Sequence, residues 1–141
     1  MRTLLDTNAY TAWKRGDAAV TELVRRSEEL VLSSIVAGEL LFGFRSGSRF
    51  ERNRREYLGY APDEKIDDLL RSPYVSFLPV TLVTADRFAR IATALRRKGR
   101  PIPTNDVWIA AHAMESGADL VSFDRHFGEI DGLAWVDPAV G

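Results

Sequence analysis

Four acidic residues stand where carboxylates could share one site. Asp6 and Asp124 each end a short apolar run, 3–5 and 120–123, of the kind found in buried β-strands, and Asp106 begins a segment with helical periodicity. In an open parallel sheet, ligands bind beyond the carboxyl ends of the strands, and helix N-termini lie on the same edge. We therefore expect these three acids to face one crevice, although an Asp at any one such position is often only a cap or turn residue.

Glu39 is the fourth acid, and its neighbours in the sequence are apolar. Ile35, Val36, Leu40 and Phe42 leave a helix around Glu39 almost no polar face, so we expect that helix to be buried. A buried carboxylate needs a partner, a shifted pKa or a bound cation. A salt bridge to a buried arginine would satisfy it as well as a cation, and the residues alone leave both alternatives open.

The ligand types available favour a hard divalent cation. Four carboxylates within about 5 Å would repel one another by roughly 3 kcal/mol per pair at an effective dielectric constant of about 20, so the cluster would need a cation. The chain has no cysteine. His112 and His126 are spaced unlike any zinc motif, and His112 is expected to be an ordinary helical residue. Oxygen ligands favour Mg²⁺ or Mn²⁺ over Zn²⁺, and such a cation can acidify a water molecule for in-line attack on phosphorus.

Short apolar runs that alternate with helical patterns predict the fold that would position these acids. Five runs typical of strands lie at 3–5, 30–32, 75–80, 120–123 and 133–136. Their alternation with helices predicts an α/β fold, with a mostly parallel sheet of about five strands and helices on both faces.

Two helices are predicted from apolar residues at helical spacing, over 84–98 and 106–116. Both are followed by a glycine that suits the position just past a helix end, Gly99 or Gly117. The expected N-terminal cap of the second helix is Thr104 or Asn105.

The remaining helix signals are a cap and two charged stretches. Ser33 or Ser34 could cap a helix that runs to Phe44. Two further helices are predicted in the charged stretches 47–58 and 63–71.

Length and composition indicate one domain in a reducing compartment. At 141 residues and 45% hydrophobic content, the chain is expected to form a single domain over 1–141. A chain without cysteine forms no disulfide bonds, so a reducing compartment is its simplest location. The amino terminus reaches Asp6 before the apolar core of a signal peptide can develop, and the apolar stretch 30–44 is too short to span a bilayer. We expect a soluble, cytoplasmic protein that does not enter a membrane.

Local basic patches would have to hold any nucleic acid, because the formal net charge of the chain is −1. One patch lies at helical spacing after Phe44, and the other lies at the end of the predicted helix 84–98. The candidates for phosphate contacts in RNA are Arg45, Arg49 and Arg52 in the first patch and Arg96 and Arg97 in the second. A solvated helix face would have the same composition, so that interpretation also stays open.

Four segments of the chain resemble the signature segments of the PIN domain family. They read LLDTN at 4–8, SIVAGEL at 34–40, PTNDVWIAA at 103–111 and LVSFDRHF at 120–127. Their order and spacing are similar to those of VapC-type toxins from bacterial toxin–antitoxin pairs. Each segment alone is a weak signal, but four in order over essentially the whole chain make a specific one.

The resemblance implies a fold, an activity, a cofactor and partners. It implies an α/β/α sandwich, Mg²⁺-dependent endoribonuclease activity with Mn²⁺ as a possible substitute, a toxin homodimer, and a cognate VapB-like antitoxin that forms a hetero-oligomer with it. The family's catalytic, metal-binding acids fall on Asp6, Glu39, Asp106 and Asp124. The family's polar residues that orient carboxylates or water fall on Thr7, Asn8 and Ser122, although Thr7 or Asn8 could instead simply cap the next helix.

Three other classes of protein are weighed against this resemblance. A haloacid-dehalogenase-like phosphatase needs a second Asp two residues after its nucleophile, where this chain has Asn8. A receiver-like signalling domain needs a phosphoacceptor Asp closing its third strand and a Lys closing its fifth, and neither 77–80 nor 133–137 supplies one. A catalytically silent PIN scaffold that binds RNA or a protein partner is the alternative that the sequence leaves open.

Overall fold

The computed structural model describes residues 1–46 and 62–140. Its sheet has five parallel strands in the order β3-β2-β1-β4-β5. The strands are β1 (Arg2–Leu5), β2 (Glu29–Ser33), β3 (Val75–Leu78), β4 (Asp119–Val121) and β5 (Trp135–Val136). The predicted α/β class and parallel sheet are confirmed.

Six α-helices and one 3-10 helix connect these strands within the described residues. The α-helices are α1 (Thr7–Lys14), α2 (Ala18–Arg26), α3 (Ser34–Arg45), α4 (Pro62–Arg71), α5 (Leu82–Lys98) and α6 (Thr104–Ser116), and the 3-10 helix is Arg125–Glu129. The helix predicted over 47–58 lies outside the described residues. None of the described helices is long and apolar enough to cross a membrane.

The ends of the helices follow local chemistry. Gly99 and Gly117 end α5 and α6 in the left-handed conformation, with φ of 68° and 69°, as predicted. The predicted cap of α6 is wrong, because Pro103 occupies the cap position without a side-chain hydrogen bond and Thr104 is already helical. The carbonyl of Pro103 accepts from the backbone N–H groups of Asp106 and Val107, so α6 starts without a polar cap.

The core lies between the sheet and the helices. Leu4, Leu120 and Val121 on the strands, together with Ala110 on α6, are completely buried. Parallel strands covered on both faces need apolar residues at successive positions, which is why the predicted strands read as mostly apolar runs. The polar residues that follow these runs are therefore placed together at the carboxyl edge of the sheet.

His112 is a fully buried polar residue on α6 that joins three elements. Its Nε2 lies 3.2 Å from the carbonyl oxygen of Pro79, and its Nδ1 lies 2.7 Å from Oγ of Ser33. A carbonyl can only accept, so Nε2 carries the hydrogen and Nδ1 accepts from the Ser33 hydroxyl. That hydroxyl also accepts from the backbone N–H of Ile35, which caps α3. The neutral form of His112 therefore connects α6 to β2, to the loop after β3 and, through Ser33, to the start of α3.

We expect His112→Phe to lower the free energy of unfolding by about 2–4 kcal/mol, because it strands the Ser33 hydroxyl and the Pro79 carbonyl in the core. Burial lowers the pKa of His112 from its ordinary 6.5. As the pH falls, the unfolded chain therefore binds this proton at a higher pH than the folded protein does. The contribution of His112 to the free energy of unfolding is complete above pH 6.5 and declines as the pH falls below that value. Urea unfolding at about pH 8 and about pH 5.5 should show a smaller difference between wild type and variant at the lower pH. A difference that stays equal at both values would contradict this account.

Candidate metal centre

Asp6 lies directly after β1 and caps α1, with only 4% of its surface exposed. Its Oδ1 accepts from the backbone N–H of Ala9 at 2.9 Å, and its Oδ2 accepts from the Ser122 hydroxyl. The alternative in which Thr7 or Asn8 is the cap is therefore wrong, because the Asp6 carboxylate already occupies that role. Thr7 is instead the first residue of α1, and Asn8 is exposed in the same turn.

Burial raises the pKa of Asp6 to about 6. The charges of Asp124 and Asp106 raise it further, whereas the hydrogen bonds from Ser122 and Ala9 lower it. Two other carboxylates are thus close enough to oppose ionisation of Asp6. The negative charge of Asp6 is not needed to cap α1, because the cap needs only a hydrogen-bond acceptor.

Ser122 connects two of the predicted acids across the end of β4. It is fully buried, donates to Asp6, and accepts from the backbone N–H of Asp124 at 3.0 Å. Its carbonyl accepts from Nε1 of Trp135, which fixes the turn from the side of β5. The Asp124 side chain remains 48% exposed, so this carboxylate is positioned by its backbone and faces solvent.

Asp106 lies in the first turn of α6, with 18% of its side chain exposed. Burial raises its pKa, and the nearby charges of Asp124 and Glu39 act in the same direction, whereas His126 lowers it. Together with the effects on Asp6, this links all four predicted acids into one electrostatically coupled set.

Glu39 is only partly buried, which corrects the expectation of a buried carboxylate on a buried helix. One face of α3 reaches solvent, where Phe42 is 74% exposed, so the apolar sequence around Glu39 did not require full burial. Oε1 of Glu39 accepts from the Thr7 hydroxyl at 2.7 Å. Thr7 therefore orients this carboxylate from the start of α1.

His126 is the site residue that sequence reasoning missed. Its Nε2 lies 2.9 Å from Oδ2 of Asp106 and 4.0 Å from Oδ2 of Asp124. The shorter contact is close enough for an ion pair but lacks the alignment of a good hydrogen bond, and this buried nitrogen makes no well-aligned hydrogen bond to the described residues. The only available signal was its place two residues after Asp124, in a segment that folds as a 3-10 helix.

The tightest group of candidate ligands combines two of the predicted acids with this histidine. Ligand atoms of Asp106, Asp124 and His126 all lie within 4.8 Å of one another, the one such group in the part of the chain that the structure describes. Asp6 and Glu39 lie outside this group and contact Ser122 and Thr7 instead. Two carboxylates and an imidazole nitrogen are a donor set that fits a divalent cation.

The predicted arginine patches are described only in part. Arg45 is exposed at the end of α3, and Arg96 and Arg97 are exposed in the last turn of α5. Arg49 and Arg52 lie outside the described residues. A role for these arginines in binding RNA stays a prediction.

The architecture and the site together define an α/β protein with an acidic centre at the carboxyl edge of a parallel sheet. The chain belongs to the PIN domain family, whose model matches residues 3–133. It is similar to Ribonuclease VapC1 of Haemophilus influenzae (strain R2866), with 28% identity over 141 residues that cover 95% of this chain and 96% of that protein.

Two solved structures share the fold along their whole length. The structure of VapBC-1 from nontypeable Haemophilus influenzae superposes with a TM-score of 0.76 and 27% identity, covering 99% of both chains. That of VapBC2 from Rickettsia felis, bound to a DNA fragment from their promoter, gives 0.74 and 26% identity, covering 96% of this chain and 98% of that one. The resemblance to VapC-type proteins, predicted from the four segments, is confirmed.

Proposed function

We propose that this protein is a Mg²⁺-dependent endoribonuclease, with Mn²⁺ as a possible substitute, and the toxin of a type II toxin–antitoxin pair acting in the cytoplasm. The observation that carries the proposal is the convergence of Asp106 and Asp124, coupled to Asp6 and Glu39, at the edge where a parallel sheet binds ligands. Full-length similarity to a protein named Ribonuclease VapC1 supports RNA as the substrate.

Two of the acids face the opening of the site, and the other two accept hydrogen bonds from neighbouring hydroxyl groups. Asp106 and Asp124 offer oxygens at the mouth of the site, while Ser122 holds Asp6 and Thr7 holds Glu39. All four would hold the cation, with Asn8 available at the start of α1 to orient water. A bound divalent cation would supply an acidified water molecule and stabilise the charge that develops on the phosphate oxygens.

The carboxylates of the site are negatively charged and repel phosphate, so other groups must hold the RNA backbone. Arg45, Arg96 and Arg97 are exposed, and we assign them, together with Arg49 and Arg52, to phosphate contacts. Arginine suits this role because its guanidinium can bind phosphate through two N–H groups at once.

A cognate VapB-like antitoxin and a second copy of this chain are the proposed protein partners. The similar proteins of Haemophilus influenzae and Rickettsia felis were solved as VapBC assemblies. Large apolar side chains at Phe42, Tyr74 and Leu82 are 69–85% exposed, and exposed apolar surface of this kind is typical of protein interfaces. The family model spans residues 3–133, in keeping with a single PIN domain over 1–141.

The proposal is tested by sequencing the 5′ and 3′ ends of cellular RNA after controlled expression. Wild type should produce new RNA ends at defined positions, and Asp6→Asn, expressed to the same level, should not. A catalytically silent scaffold would produce no new ends. Identical new ends with both proteins would assign the cleavage to another nuclease and overturn the proposal.

A further inference from the structure

We propose that His126 is itself a metal ligand, which makes this a mixed nitrogen–oxygen site that binds a first-row transition cation, with Mn²⁺ as the probe, more tightly than Mg²⁺, while either cation can fill the site and support cleavage. The inference rests on the proposed function, because it takes the same site to hold a cation. It goes further by adding a residue outside the acidic quartet and by assigning the class of cation.

The position of the His126 ring carries the argument. Nε2 is buried at the atom level and has no hydrogen-bond partner among the described residues, although 29% of the side chain is exposed. This nitrogen faces Oδ2 of Asp106 at 2.9 Å and Oδ2 of Asp124 at 4.0 Å. Buried polar atoms normally make a well-aligned hydrogen bond, so a nitrogen that contacts two carboxylates without one is placed to share a ligand with them.

Packing holds the ring in this position. His126 contacts the ring of Phe127 edge-on, with centroids 4.8 Å apart, and Phe127 is completely buried in the core. Asp124 is the cap residue of the same 3-10 helix. One short element therefore presents both the carboxylate and the imidazole to Asp106 at the start of α6.

The chemistry of the donors predicts the choice of cation. Mg²⁺ takes oxygen ligands and keeps several of its waters, so an imidazole adds little to its binding. Imidazole nitrogen binds first-row transition ions better. A histidine in the ligand set should therefore strengthen Mn²⁺ binding and leave Mg²⁺ binding nearly unchanged.

A simple ion pair between His126 and Asp106 makes the opposite prediction. A cation would then have to displace the imidazolium, so removal of His126 would strengthen the binding of both Mn²⁺ and Mg²⁺. The effect of removing His126 on cation affinity thus has a different sign under the two accounts.

The test uses tag-free protein, calorimetric titration with Mn²⁺ and with Mg²⁺, and pulsed electron paramagnetic resonance of the Mn²⁺-loaded protein. We expect nitrogen modulation from a directly bound ¹⁴N in wild type, its replacement by a ¹⁵N signal after histidine labelling, and its loss in His126→Phe. The variant should bind Mn²⁺ more weakly by at least about 100-fold, the upper end of the effect of removing a group that only supports a ligand, and bind Mg²⁺ with an affinity within about threefold of wild type. The nitrogen signal in wild type does not depend on the variant's folding.

The outcomes separate this inference from the proposed function. Tight Mn²⁺ binding without nitrogen modulation, or with unchanged or increased affinity in His126→Phe, would overturn the role of His126 and leave the acidic metal site in place. Wild type that binds neither cation would overturn the metal site and this inference together. As a reference, Asp106→Asn should lose affinity for both cations.

Discussion

Asp106→Asn is expected to lower RNA cleavage by on the order of 1,000-fold while the protein remains folded. Asparagine keeps the size of the side chain but removes the negative charge that faces Asp124 and His126. The loss should exceed the roughly 10–100-fold effect typical of removing a group that only supports a metal ligand. Initial rates on a labelled RNA, measured at saturating Mg²⁺, give the ratio directly.

Asp68→Asn is the matched control for this variant. It makes the same chemical change at an exposed acid on α4 that pairs with Arg71, and cleavage should stay within about twofold of wild type. If Asp106→Asn retained wild-type activity with an unchanged thermal transition, Asp106 would not belong to the catalytic centre.

Asp6→Asn is expected to abolish cleavage and, in metal-free buffer, to stabilise the protein. Burial raises the pKa of Asp6 to about 6 from its ordinary 3.8, and a rise of that size corresponds to about 3 kcal/mol of cost for the ionised carboxylate. Asparagine keeps the cap to Ala9 but bonds less well to Ser122, so we expect a net gain of about 1–2 kcal/mol above pH 6.

The pH dependence of this gain has a definite sign. The folded protein keeps the proton on Asp6 up to a higher pH than the unfolded chain does. The free energy of unfolding of wild type therefore falls as the pH rises from about 4 to about 6. The advantage of Asp6→Asn should therefore be full at about pH 7.5 and absent below about pH 4. Thermal unfolding in chelator across this range measures it.

Asp17→Asn is the control for the stability change, because Asp17 caps α2 by accepting from Val20 at 3.0 Å in the way that Asp6 caps α1. An equal gain at Asp17 would mean that the effect belongs to helix caps in general. Addition of Mg²⁺ should then raise the unfolding temperature of wild type more than that of Asp6→Asn, because ligand binding stabilises only the form that binds it.

The fold was predictable because its strands are buried on both faces. Apolar runs such as 30–32 and 120–121 then appear in the sequence itself. Helix ends marked by glycine were equally readable at Gly99 and Gly117, where the left-handed conformation favours a residue without a side chain. The start of α6 was not, because Pro103 begins that helix without a polar cap.

The acids were predictable for a related reason, since the carboxyl ends of parallel strands meet at one edge. Their individual environments were not. Glu39 is half-buried because one face of α3 packs on the other described elements while Phe42 on another face is exposed, and an apolar sequence does not say which face packs. His126 reaches Asp106 through tertiary packing of a 3-10 helix against α6, a contact between residues 20 positions apart that no spacing rule encodes.

The central claim is that the acids hold a divalent cation on which RNA cleavage depends. The most direct test is the cleavage rate of a defined RNA by purified, tag-free protein, first stripped with chelator and then titrated with Mg²⁺ and with Mn²⁺. We expect no cleavage in chelator, recovery with a saturable dependence on either cation, and recovery to no more than about one-thousandth of the wild-type rate for Asp106→Asn. Cleavage that proceeds at the same rate in excess chelator would contradict the claim.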